Sequence, residues 1–126
     1  MAAARYSALV IEHFDHPRNV GRLPPAQDVL EAAAGSREQG AAFHVSAQIE
    51  SGVIKEVRVE TYGCPHCIAA GSWLSGRLSG AAAEQLATWN WRDIAAALDV
   101  PAEKRGRLLI LEDAIRHLAE AWRKRG

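Results

Sequence analysis

The stretch 43–62, FHVSAQIESGVIKEVRVETY, decides the fold. In its first part Phe43, Val45, Ala47 and Ile49 alternate with His44, Ser46 and Gln48. That period of two turns one set of side chains toward a core and the other away from it. Glu50-Ser51-Gly52 supplies a turn, and Val53 to Tyr62 returns as a second strand rich in Val and Thr. The pair predicts an antiparallel hairpin. Upstream, a short strand is expected from Val29 to Ala33, before Gly35, and Val20 to Asp28, with Gly21, Pro24 and Pro25, reads as a loop. Residues Ala4 to Phe14 carry Leu9, Val10, His13 and Phe14 at helical spacing. Asp15-His16-Pro17-Arg18-Asn19 ends that helix, because proline lacks a donor and restricts the residue before it.

Downstream of the hairpin the period changes. A helix is expected from Ile68 to about Leu78, with Trp73 and Leu74 toward the core and a break at Gly80. A further helical stretch holds Leu86, Ile94 and Leu98, and Asp99-Val100-Pro101 reads as a loop. In the last helix Leu108, Leu111, Ile115, Leu118 and Trp122 recur at steps of 3, 4, 3 and 4, one apolar stripe. Its other face pairs Glu112 with Arg116 and Glu120 with Lys124, each pair worth ~0.2–0.5 kcal/mol. Strands followed by helices predict an α+β domain: an antiparallel sheet with helices packed on it, and a long C-terminal helix.

The 126 residues suit one domain, 1–126, large enough to bury a core without staples. Fifteen Lys+Arg balance 15 Asp+Glu, so no net field draws nucleic acid or an anionic membrane. No run approaches the ~18 apolar residues of a membrane span, and Met1 to Ser7 lacks a signal peptide's apolar core. A soluble, cytoplasmic protein is expected. No carboxylate pair, phosphate-binding glycine loop or Ser-His-Asp arrangement stands out.

Both cysteines lie in Tyr62-Gly63-Cys64-Pro65-His66-Cys67-Ile68, where strand gives way to helix. A thiol at a helix start faces unpaired backbone N–H groups and the positive end of the helix dipole, which favour thiolate. In a reducing cytosol such a pair means metal binding, redox work or two small core residues before it means a structural disulfide. His66 reads as a solvated polar residue, and His44 as exposed on the polar face of its strand. His13, His16 and His117 are ordinary, with Asp113 a partner for His117. Trp73, Trp89, Trp91 and Trp122 read as core or interface residues, Trp89 and Trp91 flanking Asn90 in a loop that could mark a contact surface.

Read in order, Tyr6-Ser7 ahead of Glu12-His13-Phe14, Pro17-Arg18-Asn19-Val20-Gly21, Thr61-Tyr62-Gly63-Cys64, Ile68-Ala69-Ala70 and Leu111-Glu112-Asp113-Ala114-Ile115 resemble the IscU/NifU N-terminal scaffold family. The resemblance runs from about Tyr6 to Trp122 and implies a three-stranded antiparallel sheet packed by helices. It also implies assembly of an iron–sulfur cluster on three cysteines with an aspartate and a histidine, a cysteine desulfurase as partner, and a scaffold rather than an enzyme. Cys64 matches the middle cysteine. Arg37 stands at the first and Arg107 at the third, Gly106 replaces the histidine, and a residue near Gln39 replaces the aspartate. A chaperone-recognition stretch survives only as Val100-Pro101-Ala102-Glu103-Lys104, and Cys67 is an addition.

A cluster usually takes about four protein ligands, mostly thiolates. Cys64, Cys67 and one of His66 or His44 would hold a cluster or zinc only with ligands from a second subunit or a small thiol; two such motifs meeting in a homodimer would complete the set. A redox reading competes with this. Cys-Pro-His-Cys is identical to the active-site tetrapeptide of the periplasmic disulfide oxidant of the thioredoxin superfamily, whose first thiol has a pKa of ~3.5. No βαβ unit precedes the motif here, so that likeness implies convergence. Arg37 and Arg107 read as surface charges or, if folded toward Cys64, as accessory groups that favour thiolate. In either reading Cys64 is the sulfur acceptor or metal ligand, and Cys67 the second ligand or resolving thiol; a third reading is a non-catalytic relative that keeps the fold to bind a partner.

Overall fold

A computed structural model describes residues 6–125. The hairpin forms at the register the alternation requires. Strands β1 (Val29–Ser36), β2 (Ala41–Glu50) and β3 (Val53–Tyr62) make an antiparallel sheet in the order β1-β2-β3. At the β2–β3 turn Ser51 and Gly52 both have positive φ, 52° and 73°. This is the mirror-image turn whose twist matches that of paired strands, and glycine adopts it without a Cβ penalty. A bulge at Gln48/Ile49 accommodates the offset before the turn.

Four α-helices surround the sheet among the described residues: α1 (Ala8–Asp15), α2 (Pro65–Leu78), α3 (Trp91–Leu98) and α4 (Arg105–Arg125). Helix α4 lies over β1 and β2, and α2 packs on β3 and α1. Between them and the sheet Phe43, Val45, Ala47, Ile54, Val57, Leu74, Leu78, Leu108, Leu111, Ile115 and Leu118 form one apolar core. Each fully buried Leu, Ile or Phe contributes roughly 1.5–3 kcal/mol relative to exposure. The stripe read for the last helix is buried at Leu108, Leu111, Ile115 and Leu118, while Trp122 is half-buried at its edge.

Several local expectations need correction. Helix α2 starts at Pro65, three residues earlier than the apolar pattern suggests, because proline at the first helical position needs no intrahelical donor. The middle helical stretch divides into a 3₁₀ turn (Ala83–Ala87) and α3. Asn90 makes the new start: its Oδ1 accepts from Arg92 N at 2.9 Å and Asp93 N at 3.3 Å. Strand β1 runs on to Ser36. Helix α1 begins at Ala8, with Ser7 Oγ accepting from Val10 N at 3.2 Å; Ala4 and Arg5, which the expected helix included, lie outside the described residues. The helical spacing of Leu9, Val10, His13 and Phe14 does not mark one buried face, since only Val10 is buried and Leu9, Ile11 and Phe14 are exposed.

Two polar layers lock the loops. Ser46, fully buried on the second face of the sheet, accepts from Leu23 N at 2.9 Å, so the 20–28 loop crosses that face. Ser72 and Ser75 on α2 hold the segment after α1: Ser72 Oγ accepts from Arg18 N at 2.8 Å and lies 2.7 Å from His13 Nδ1, and Asn19 Nδ2 donates to Ser75 Oγ at 3.0 Å. His117 does not pair with Asp113. Its Nδ1 lies 3.2 Å from the Ala33 carbonyl, and Asp113 binds Arg116 at 3.1 Å. Of the two expected helix pairs, Glu112–Arg116 forms at 2.8 Å. Trp89 meets Trp73 edge to face at 5.9 Å, and Trp89 and Trp91 are both half-buried against the core, so they pack inward more than the contact-surface reading supposes.

Candidate functional site

One end of the sheet gathers three chain segments: the β1–β2 turn, the β3–α2 junction and the first turn of α4. Gly63 makes the junction possible. It has φ +155°, and a Cβ there would stand 2.8 Å from both Cβ and Sγ of Cys67. A glycine thus lets the chain leave β3 and bring the second thiol under the first.

Cys64 occupies the N-cap of α2 in extended conformation, with Pro65 following. Its Sγ lies 3.6 Å from Cys67 Sγ. Arg107 Nη1, from α4, donates to the same sulfur at 3.8 Å. The sulfur makes no full capping bond, yet the amides of Cys67 and His66 face it. The Cys64 thiol is lowered from 9.0 to about 4: chiefly by the S–H of Cys67, then, against the opposing effect of burial, by the two amides and the Arg107 guanidinium. Cys67 is pushed up, because its proton is held by Cys64 and because burial opposes a second charge. The pair is one thiolate sharing the proton of its neighbour. Both thiols are free; Cys64 is half-buried, and Cys67 is fully buried within the apolar core.

The two arginines separate. Arg107 reaches the sulfur and also lies against Gly40, whose added Cβ would sit 3.2 Å from its Nη2. Arg37 instead stacks over the Tyr62 ring at 5.2 Å.

His66 is not solvated. It is 4% exposed, its ring 4.9 Å from that of Tyr6, and neither ring nitrogen has a hydrogen-bond partner among the described residues. With Tyr6, Pro101, Glu103 and Lys104 it lines a cavity of about 460 Å³, which includes part of the 100–104 stretch. His44 is also less exposed than its strand position implied; its Nε2 meets Glu31 at 3.1 Å and its side chain is 17% exposed. No group of three or more His, Cys, Asp or Glu side chains placed to hold a metal ion occurs among the described residues. The donors of one chain therefore fit neither zinc nor a complete cluster. Sequence reasoning did not see the shared proton, because helical spacing fixes which thiols are neighbours without fixing which donates.

The family profile described as "NifU-like N terminal domain" matches residues 5–126. The chain belongs to this family. It is 32% identical over 123 residues to "Iron sulfur cluster assembly protein 1, mitochondrial" of Debaryomyces hansenii, covering 95% of this chain and 69% of that protein. It is 33% identical over 113 residues to "Iron-sulfur cluster assembly scaffold protein IscU" of Azotobacter vinelandii, covering 88% of each. The fold matches that of a NifU-like N-terminal protein of Brucella abortus with a TM-score of 0.73 at 16% identity, covering 95% of both chains. The α+β architecture with its long last helix is the one the hairpin and the helical stripe predicted, and the three-stranded sheet is the one the family resemblance implied. No helix among the described residues is long and apolar enough to cross a membrane.

Proposed function

We propose that this NifU-like protein serves iron–sulfur cluster assembly as a scaffold-family member whose working group is the Cys64 thiolate, which accepts sulfur from a cysteine desulfurase. One observation carries this reading: Cys64, half-buried at the N-cap of α2, has Cys67 Sγ at 3.6 Å and Arg107 Nη1 at 3.8 Å from its sulfur. A thiolate is the form that attacks a sulfane sulfur, and the arginine attracts the anionic group that a persulfide donor presents. The relatives named for cluster assembly supply the class of reaction.

The cargo handled by one chain is sulfur. A cluster takes about four ligands, mostly thiolates; this chain has two cysteines, and Arg107 holds the position beside Cys64. A complete cluster would draw its remaining thiolates from a second copy, in a homodimer, or from a small thiol. General disulfide exchange is the weaker reading, because a three-stranded antiparallel sheet offers no βαβ unit of the thioredoxin kind.

The test is sulfur transfer from a desulfurase supplied with radiosulfur-labelled cysteine. Label should pass onto the protein or appear as sulfide in amounts that depend on Cys64, and Cys64→Ser should abolish both. Transfer that survives Cys64→Ser would remove the thiolate from the account.

A further inference from the structure

We propose that Cys67 reduces the sulfur that Cys64 accepts, so that the chain itself liberates sulfide and closes a Cys64–Cys67 disulfide. This rests on the sulfur-acceptance reading above and adds what becomes of the sulfur afterwards.

Three features of the pair carry it. The two sulfurs are 3.6 Å apart, close to the ~3–3.5 Å of a reactive approach. A disulfide needs ~2.05 Å, so the sulfurs must close by about 1.5 Å, which side-chain rotation at the helix start supplies. Second, exposure divides the roles. Cys64 is half-buried and open to a donor, whereas Cys67 is fully buried, so an incoming persulfide loads the first thiol and cannot load the second. Third, the residue before the pair is glycine at φ +155°, and a Cβ there would meet Cys67 Sγ at 2.8 Å. The backbone is thus shaped to admit the second sulfur.

The step balances within the chain. As the proton of Cys67 passes to the terminal sulfur of the Cys64 persulfide, the Cys67 sulfur, now thiolate in character, attacks the inner sulfur, forming the Cys64–Cys67 bond and breaking the bond to the terminal sulfur. The electron pair of the broken bond leaves with the terminal sulfur, which departs with that proton as hydrogen sulfide. The two cysteine sulfurs are oxidised by two electrons in all, and the sulfane sulfur is reduced by the same two. No outside reductant enters until the disulfide must be reopened, which takes an external dithiol. Arg107 Nη1, on the Cys64 sulfur at 3.8 Å, sets a positive charge beside the bond that breaks, which favours the negative charge that develops there. A chain built this way releases one sulfide and then stops.

The experiment uses reduced full-length protein, freed of small thiols under anaerobic conditions, mixed with a cysteine desulfurase carrying its persulfide and freed of cysteine. Free sulfide, protein-bound sulfane sulfur and the disulfide are measured together. The expected result is sulfide and intramolecular disulfide appearing in equal amounts in the wild type. Cys67→Ser and Cys67→Ala should load Cys64, retain the sulfur as persulfide and release sulfide at the rate of the desulfurase alone; circular dichroism identifies any variant that fails to fold. Sulfide release by either folded variant at the wild-type rate overturns the proposal. So does a wild type that keeps its persulfide, or releases sulfide without a disulfide, and these wild-type results stand whether or not the variants fold. Failure of Cys64 to load in wild type and folded variants alike overturns sulfur acceptance, and this inference with it.

Discussion

Replacing Cys67 should disturb the Cys64 thiolate more than replacing Arg107, although Arg107 carries the full charge. The S–H of Cys67 at 3.6 Å is the largest influence lowering Cys64 from 9.0 to about 4. A hydrogen bond to a charged group is worth about 1.5–3 kcal/mol, and a pKa unit about 1.4, so Cys67→Ala should raise Cys64 by about 1–2 units. Arg107 at 3.8 Å would attract the thiolate by about 1 kcal/mol in water and about 4 at a dielectric constant of about 20. Because the Arg107 charge is the smallest of the influences lowering Cys64, its effect stays near the lower figure, and Arg107→Gln should raise Cys64 by about 1 unit. The assay is the pH dependence of alkylation, followed by thiolate absorbance; buried Cys67 contributes little to either, so the titration reports Cys64. The linkage has a definite sign. A thiol lowered in the folded state adds stability that is fully present above its unfolded value, near 9, and is lost as pH falls toward about 4. The stability advantage of wild type over Cys64→Ser should therefore grow as pH rises through that window. A Cys64 titration unchanged in Cys67→Ala, or moved further by Arg107→Gln, would refute the shared-proton account.

Gly63→Ala should destabilise the fold by about 1–3 kcal/mol, since the new methyl meets Cys67 at 2.8 Å and the backbone has φ +155°. Urea unfolding measures this, and a neutral outcome would mean that the thiols have room to part. His66→Phe keeps the ring against Tyr6 while removing two buried nitrogens with no partners, so stability should stay level or rise in the same assay; a marked loss would reveal a hydrogen bond or ligand that the structure does not display. Leu111→Ala, fully buried between α4 and the sheet, should cost about 2–5 kcal/mol, and a smaller loss in chemical denaturation would show that the core collapses around the gap.

The sheet was readable because its signal is local. Alternation in Phe43–Ile49, a turn at Ser51-Gly52 and β-branched residues in Val53–Tyr62 all favour one hairpin, and the observed strands keep those limits within two residues. Helix α4 was readable for the same reason, four of its five stripe residues, Leu108, Leu111, Ile115 and Leu118, lying on its buried face. Long-range contacts were harder. His66 sits at a helix start, where a polar ring normally finds water, but the 100–104 stretch and Tyr6 close over it, and nothing in its neighbours along the chain announces residues so distant. His44 occupies an outward strand position that the sequence reads as open, yet its ring meets Glu31 of the paired strand, a contact that the alternation alone does not announce. The two arginines show the limit most clearly. Both read from the sequence as charges that could fold toward Cys64, and only side-chain packing sends Arg107 to the sulfur and Arg37 to Tyr62.

The claim on which the rest depends is that Cys64 is presented as a reactive thiolate able to take sulfur. Mass spectrometry of intact Cys67→Ser protein, after exposure to a cysteine desulfurase charged with persulfide and peptide mapping of the product, tests it directly. The account predicts a gain of one sulfur atom per chain, located on Cys64 and removed by reductant. A folded protein whose mass does not change, or whose added sulfur maps elsewhere, would contradict it.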